Sequence, residues 1–210
     1  MLFIATPVYD GTVSHHYLRG ALETCKRFPD TQFSVATGTN ISQNRERLTD
    51  QFLESKCDHL LFIDSDIGWT VTDIELLLAV NVKIVSGTYI RKIDRTLAAE
   101  VLVDGTQTIY PELLECAWVP AGFLLIQRSG IEEMKRRLED TSLWAYQYHG
   151  RQFIGEDVAF SFRWKALGGQ LWLHSGVIVK HIGEAVYLPD DFGYPHSTME
   201  ETEVRLDDNG

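Results

Sequence analysis

The chain has 210 residues, 44% of them hydrophobic, which is enough for one well-cored domain of ordinary composition. Its formal net charge is -11, but the last stretch, LPDDFGYPHSTMEETEVRLDDNG, holds seven acids against one arginine, so the body is only mildly acidic and offers no basic face for nucleic acid or anionic lipid. Cys25, Cys57 and Cys116 are widely spaced without a C-x-x-C pair, which argues against a disulfide framework or zinc knuckle; with no basic leader and no apolar run near the roughly 20 residues of a membrane span, a soluble cytoplasmic protein is expected.

In chain order, LFIATPV is a short apolar run stopped by YDG, a buried first strand emptying into a loop. From Ser14 to Phe28 the apolar residues Tyr17, Leu18, Ala21, Leu22 and Cys25 recur at helical spacing and stop before Pro29. QFSVATG reads as a second strand. NRERLTDQFLESK puts Leu48, Phe52 and Leu53 on one helical face, and HLLFIDSD is a third strand. Thr72 and Glu75 have capping-box spacing and open a helix through IELLLAV, which leads to a fourth strand, KIVSGTY. Strands alternating with helices imply a parallel sheet, whose ligands collect beyond the carboxyl ends of the strands, near Thr6, Asp64, Asp66 and Gly87.

The second half differs. AAEVLVDG and QTIYPELLECAWVPAGFLLIQR read as partly antiparallel strands joined by a D-G turn. Ser129 and Glu132 are spaced to cap a helix through IEEMKRRLED, GEDVAFSFRWKALGG forms another ending at Gly168, and QLWLHSGVIVKHIG supplies the last strand. The expectation is one domain over residues 1–188, with a nucleotide-binding half at about 1–95 and an acceptor half at about 96–188; residues 189–210 form an acidic tail or lid.

Asp64 and Asp66 flank Ser65 at the end of the third strand. If the strand breaks at Ser65, both carboxylates can turn to one point, where a hard cation such as Mn2+ or Mg2+ takes oxygen ligands alongside substrate phosphates. A plain exposed turn has the same sequence. Glu156 and Asp157 open a helix, where carboxylates also serve as caps. His181, in KHIG, has an imidazole suited to borderline metals but equally to a strand-end hydrogen bond. Gly122 leaves room for close approach to the backbone, by a ligand or at a bulge.

The succession ATPVYDG, QNRERLTDQFLES, HLLFIDSDIGW, VSGTYIRK, WVPAGFLLIQRSGIEEM, FIGEDVAFSFRWKALGG and VKHIG resembles the GT-A class of nucleotide-sugar glycosyltransferases, especially family-2-like members, of which small virus-encoded forms are this compact. The resemblance runs from about Phe3 to Gly183. It implies a GT-A α/β fold with a Rossmann-like, mostly parallel nucleotide-binding half and a mixed acceptor-side half. It implies Asp66 as the principal ligand of Mn2+ or Mg2+, Asp64 on the ribose or on the metal through water, and His181 completing the metal site. Asp157 matches the general base of inverting members, with Glu156 its neighbour. Thr6, Pro7 and Tyr9 match the base pocket, Arg45 a basic residue near the base or diphosphate, and Ser65 and Gly122 lie along the donor. The partners implied are a nucleotide-sugar, a UDP-sugar before a GDP-sugar, and a glycan or other hydroxyl acceptor.

Among the tryptophans, Trp69 and Trp118 adjoin these motifs and are the expected sugar-stacking pair; Arg91 and Lys92 follow SGTYI, where they either meet the donor or form an exposed strand end. Two other functions share the acid pair. A haloacid-dehalogenase-like phosphohydrolase also begins a D-x-D at a strand end, but on its first strand rather than the third. A sugar-nucleotide binding module without catalysis would keep the same residues.

Overall fold

The computed structural model describes residues 1–102, 112–139, 141–183 and 186–187. The expected D-G turn, Asp104 and Gly105, and the acidic stretch 189–210 lie outside the described residues. In chain order the elements are β1 (Leu2–Val8), α1 (His15–Arg27), β2 (Gln32–Thr37), α2 (Ile41–Glu54), β3 (His59–Ile63), β4 (Ile67–Gly68), α3 (Val71–Ala79), β5 (Ile84–Thr88) and β6 (Glu100–Val101). They continue with β7 (Leu113–Trp118), β8 (Phe123–Gln127), α4 (Arg128–Leu138), β9 (Gln147–His149), β10 (Gln152–Ile154), α5 (Glu156–Ala166), β11 (Trp172–Ile178), β12 (Lys180–Ile182) and β13 (Val186–Tyr187).

The central sheet has eight strands in the order β2-β1-β3-β8-β5-β11-β7-β6. β1 pairs in parallel with β2 and β3, and β5 in parallel with β11, while β8 runs antiparallel between β3 and β5 and β7 runs antiparallel to β11 and β6. The α/β class with a large, mostly parallel sheet is therefore as expected. One expectation changes: the parallel run implied by the first half is interrupted between its third and fourth strands. β8, from the second half, is wedged between them, so strands of both halves interleave.

Side chains alternate across this sheet with period two. Phe3, Ala5, Leu60, Phe62, Leu124 and Ile126 join one buried cluster, with Leu48 and Phe52 of α2, Ile131 and Met134 of α4, and Phe160 and Trp164 of α5. Leu2, Ile4, Leu61, Ile63, Phe123 and Leu125 join the other, with Tyr17 of α1 and Ile74 and Leu77 of α3. Helices thus cover both faces, which explains why the central strands read as unbroken apolar runs.

Two caps differ from expectation. α3 starts two residues earlier, with Thr70 and Asp73 forming the capping box instead of Thr72 and Glu75. The segment TVTDIE contains both spacings; the earlier one puts Trp69 just before the cap and Ile74 in the next turn, and both are buried in one cluster, the pairing of a hydrophobic staple. α4 begins at Arg128 with no side-chain cap, so Ser129 is already helical. Arg128 instead donates to the carbonyls of Phe52 and Leu53 in the last turn of α2 and of Ser55 and Cys57 just after it, placing a cation at the C-terminal end of that helix. Among the described residues no helix is long and apolar enough to cross a membrane.

Candidate functional site

The carboxyl ends of β1, β3, β5 and β11 reach one edge of the sheet, where β1 continues to β2 on one side and the chain returns as β3 on the other, the usual crevice of such sheets. At this edge Asp64, Ser65 and Asp66 form a tight turn. The Asp64 N–H donates to the Gly122 carbonyl, the Ile67 N–H returns to the Asp64 carbonyl, and the Ser14 N–H donates to the Ser65 carbonyl. The turn is then clamped by a small three-stranded sheet that sequence patterning did not reveal, in the order β13-β12-β4. Its register sets His181 opposite Ile67, and the Ile182 N–H donates to the Asp66 carbonyl. This backbone pairing brings together Asp66 and His181, residues 115 positions apart in the chain.

The two acids of the turn have different partners. Asp64 Oδ1 accepts from Arg45 Nη2 at 2.8 Å, while Arg45 Nε donates to Glu156 at 3.2 Å and Nη1 to the Ala121 carbonyl at 3.2 Å. The guanidinium, only 2% exposed, also lies over the rings of Phe62 and Trp144. Burial works against its charge, but Asp64 and Glu156 more than offset that and hold it protonated. Burial likewise pushes the Asp64 carboxyl up, opposed by Arg45 and reinforced by Asp66.

Asp66 faces outward. Its Oδ2 lies 2.5 Å from Lys92 Nζ and 3.6 Å from His181 Nε2. Burial acts to raise its carboxyl, yet His181 and Lys92 together bring it below its ordinary value. His181 Nδ1 sits 2.8 Å from the Ile90 carbonyl, an acceptor, and donates to it, which turns Nε2 towards Asp66. That is the orientation a metal-binding histidine needs. Two donor atoms 3.6 Å apart can share an ion with bonds of about 2.0–2.2 Å. Among the described residues no group of three or more His, Cys, Asp or Glu is gathered to hold a metal ion. A cation here would draw its remaining ligands from water or substrate phosphates, as Mg2+ commonly does.

Asp66 also lies where two clefts meet. The larger, of about 970 Å³, is lined by Asp66, Tyr89, Lys92, Trp118, Asp157 and His181 among others. The smaller, of about 280 Å³, is lined by Pro7, Tyr9, Gly38, Asn44, Asp64, Ser65 and Asp66. Asp157 enters the larger cleft from the first turn of α5, where Oδ1 accepts the Val158 N–H at 2.8 Å. Burial, with Glu156 next to it, pushes its carboxyl up to about 6. Glu156, one position earlier, turns inward to Arg45 and does not line the cleft.

Of the expected donor-side residues, Pro7, Tyr9, Asp64 and Ser65 gather in the smaller pocket, and Tyr9 is exposed there. Thr6 is fully buried, its hydroxyl bonded to Tyr17 at 2.5 Å, and lines neither cleft. Arg45 is enclosed by Asp64, Glu156 and Ala121. The space a side chain at Gly122 would need is taken by protein: a Cβ there would stand 2.4 Å from Tyr89 Oη, which accepts the Gly122 N–H. Trp118 lines the larger cleft, but Trp69 is core, packed against Gly20 with its indole N–H on Thr24. Sequence reading passed over Tyr89, which forms a wall of the larger cleft, supports the Gly122 backbone and meets the His181 ring edge-on at 5.2 Å. The tyrosine follows the fourth strand directly, and that position at a strand's carboxyl end was its only signal.

No family model matches the chain, and no curated protein matches it in sequence. Among solved structures it is similar to A197 from STIV, with 22% identity and a TM-score of 0.64 over 96% of this chain and 98% of that one. The likeness is one of fold. A glycosyltransferase involved in the glycosylation of the major capsid of PBCV-1 aligns with 12% identity and a TM-score of 0.46 over 82% of this chain and 81% of its own.

Proposed function

We propose that the protein is a metal-dependent glycosyltransferase that moves a sugar from a nucleoside-diphosphate sugar to an acceptor hydroxyl. The observation that carries this reading is the junction at Asp66: one carboxylate shared by two clefts, with Nε2 of His181 turned towards it and a carboxyl pushed up to about 6, Asp157, on the larger cleft. The smaller pocket, at the ends of β1 and β3, suits a nucleoside, with Tyr9 available to stack on the base. The donor proposed is a UDP-sugar, as the sequence resemblance implies.

Asp66 and His181 would hold Mn2+ or Mg2+, which when bound offsets the charge growing on the leaving diphosphate. Asp64 lines the nucleoside side and, fixed by Arg45, presents an immobile carboxylate towards the ribose. Asp157 acts on the acceptor. Because Oδ1 is engaged by the Val158 N–H, Oδ2 is the oxygen that takes the hydroxyl proton, and a carboxyl poised near neutrality suits that transfer. Attack in line with the departing diphosphate inverts the anomeric centre. Trp118 and Tyr89 supply apolar walls that exclude water from the reacting carbon.

The phosphohydrolase alternative requires the first acid of the pair as nucleophile, and Asp64 is gripped by a buried guanidinium, so no observation favours it. Calorimetric titration with UDP, with and without Mn2+, tests the proposal. UDP should bind tightly only with the metal and not at all to Asp66→Ala; binding indifferent to Mn2+ and to that substitution would refute it.

A further inference from the structure

Asp66 already has a cation. The Lys92 ammonium lies on Oδ2, the same oxygen that faces His181 Nε2. Both partners are partly open to water, with the lysine side chain 29% exposed and the acid 40%, so the pair is weak and easily exchanged. Lys92 lies two residues beyond Ile90, whose carbonyl orients His181, and it lines the larger cleft. The neighbouring Arg91 is turned to Asp94. A compact ammonium on a flexible four-carbon stem can leave one anion for another by a rotamer change, and lysine binds phosphate as a point charge.

We propose that Lys92 is an exchangeable counter-ion: it occupies Asp66 in the unliganded protein, yields that carboxylate when a divalent cation binds, and then pairs with the diphosphate of the donor. The inference rests on the nucleotide-sugar reading above and adds an order to it. While Lys92 sits on Asp66, a cation arriving alone meets a like charge, so the metal by itself binds weakly. A diphosphate gives the displaced ammonium a new partner. Cation and nucleotide therefore bind cooperatively, and by linkage each raises the affinity of the other equally.

Calorimetry on wild type, Lys92→Met and Lys92→Arg, with Mn2+ alone, UDP alone and UDP in saturating Mn2+, decides the matter. Lys92→Met should bind Mn2+ alone about tenfold tighter, the effect of removing one like charge that has swung to about 6 Å from a divalent ion in a solvated cleft at the dielectric of bulk water. It should also bind UDP in Mn2+ about tenfold more weakly, the loss of one charge-assisted phosphate contact. Lys92→Arg should stay near wild type in both titrations. If Lys92→Met leaves the affinity for Mn2+ alone unchanged while Asp66→Asn abolishes it, the counter-ion role is refuted and the nucleotide-sugar reading stands. If wild type binds UDP no better with Mn2+ than without, both fall.

Discussion

Arg45 and Lys92 each hold one acid of the same Asp-Ser-Asp turn, and they do so in different media. Arg45 is walled in by Phe62 and Trp144, its three nitrogens divided among Asp64, Glu156 and the Ala121 carbonyl. Lys92 meets Asp66 at the rim of a cleft, in reach of water and of ligands. A buried pair cannot be broken without stranding a charge, whereas an exposed one exchanges at little cost. The first pair therefore fixes the turn, while the second, on the proposed reading, is the one that exchanges. Two acids that look equivalent in sequence are separated by one turn of backbone into a buried acid and an open one.

The sharpest way to break that contrast is at its buried end. Arg45→Met leaves Asp64 and Glu156 without their cation and should lower folding stability by about 3–5 kcal/mol, read from chemical denaturation at neutral pH. Asp157→Asn should leave UDP binding intact while reducing transfer by about 100-fold or more in a steady-state assay. That variant carries a second signature. The Asp157 carboxyl is raised from 3.8 to about 6 in the folded chain, so the native state holds its proton more tightly than the unfolded state does. Stability from this group is complete below the unfolded value and is lost as the pH rises through about 6. Asp157→Asn should accordingly melt higher than wild type at pH 7.5, with the gap closing as the pH falls towards about 4. Wild-type transfer should decline below pH 6 as the carboxyl is protonated.

Gly122→Ala probes the wall between the two centres. The new Cβ would meet Tyr89 Oη and Cζ at 2.4 and 2.9 Å, and the buried ring has little room to retreat, so a loss of about 1–3 kcal/mol is expected in thermal melts. The smallest effect should be the stability of Asp66→Asn, changed by less than about 1 kcal/mol because its pair with Lys92 is half-solvated. A large destabilisation there would make Asp66 as structural as Asp64 and erase the distinction.

Local sequence determined the helices and the main strands of the central sheet to within a few residues, because each is a short apolar run or a helical stripe closed by a turn residue or a cap, but it did not reveal the short strands β4, β9, β10, β12 and β13. It also offered Asp66, Asp157 and His181 as groups that chemistry could use, from a D-x-D at a strand end, an acid pair opening a helix and a lone imidazole after an apolar strand. Which T-x-x-acid spacing would cap α3 was not local; burial of Trp69 beside Ile74 decided it. Nor was the insertion of β8 between β3 and β5, because strand pairing joins segments some forty to seventy residues apart and leaves no periodicity in either. The same long-range pairing set Gly122 against Asp64 and Tyr89 against Gly122, and β12 against β4 brought His181 to Asp66. The sequence carried the chemical groups of the turn; their division into a buried acid and an open one came from the tertiary fold, since burial and the nearest opposite charge depend on neighbours far along the chain.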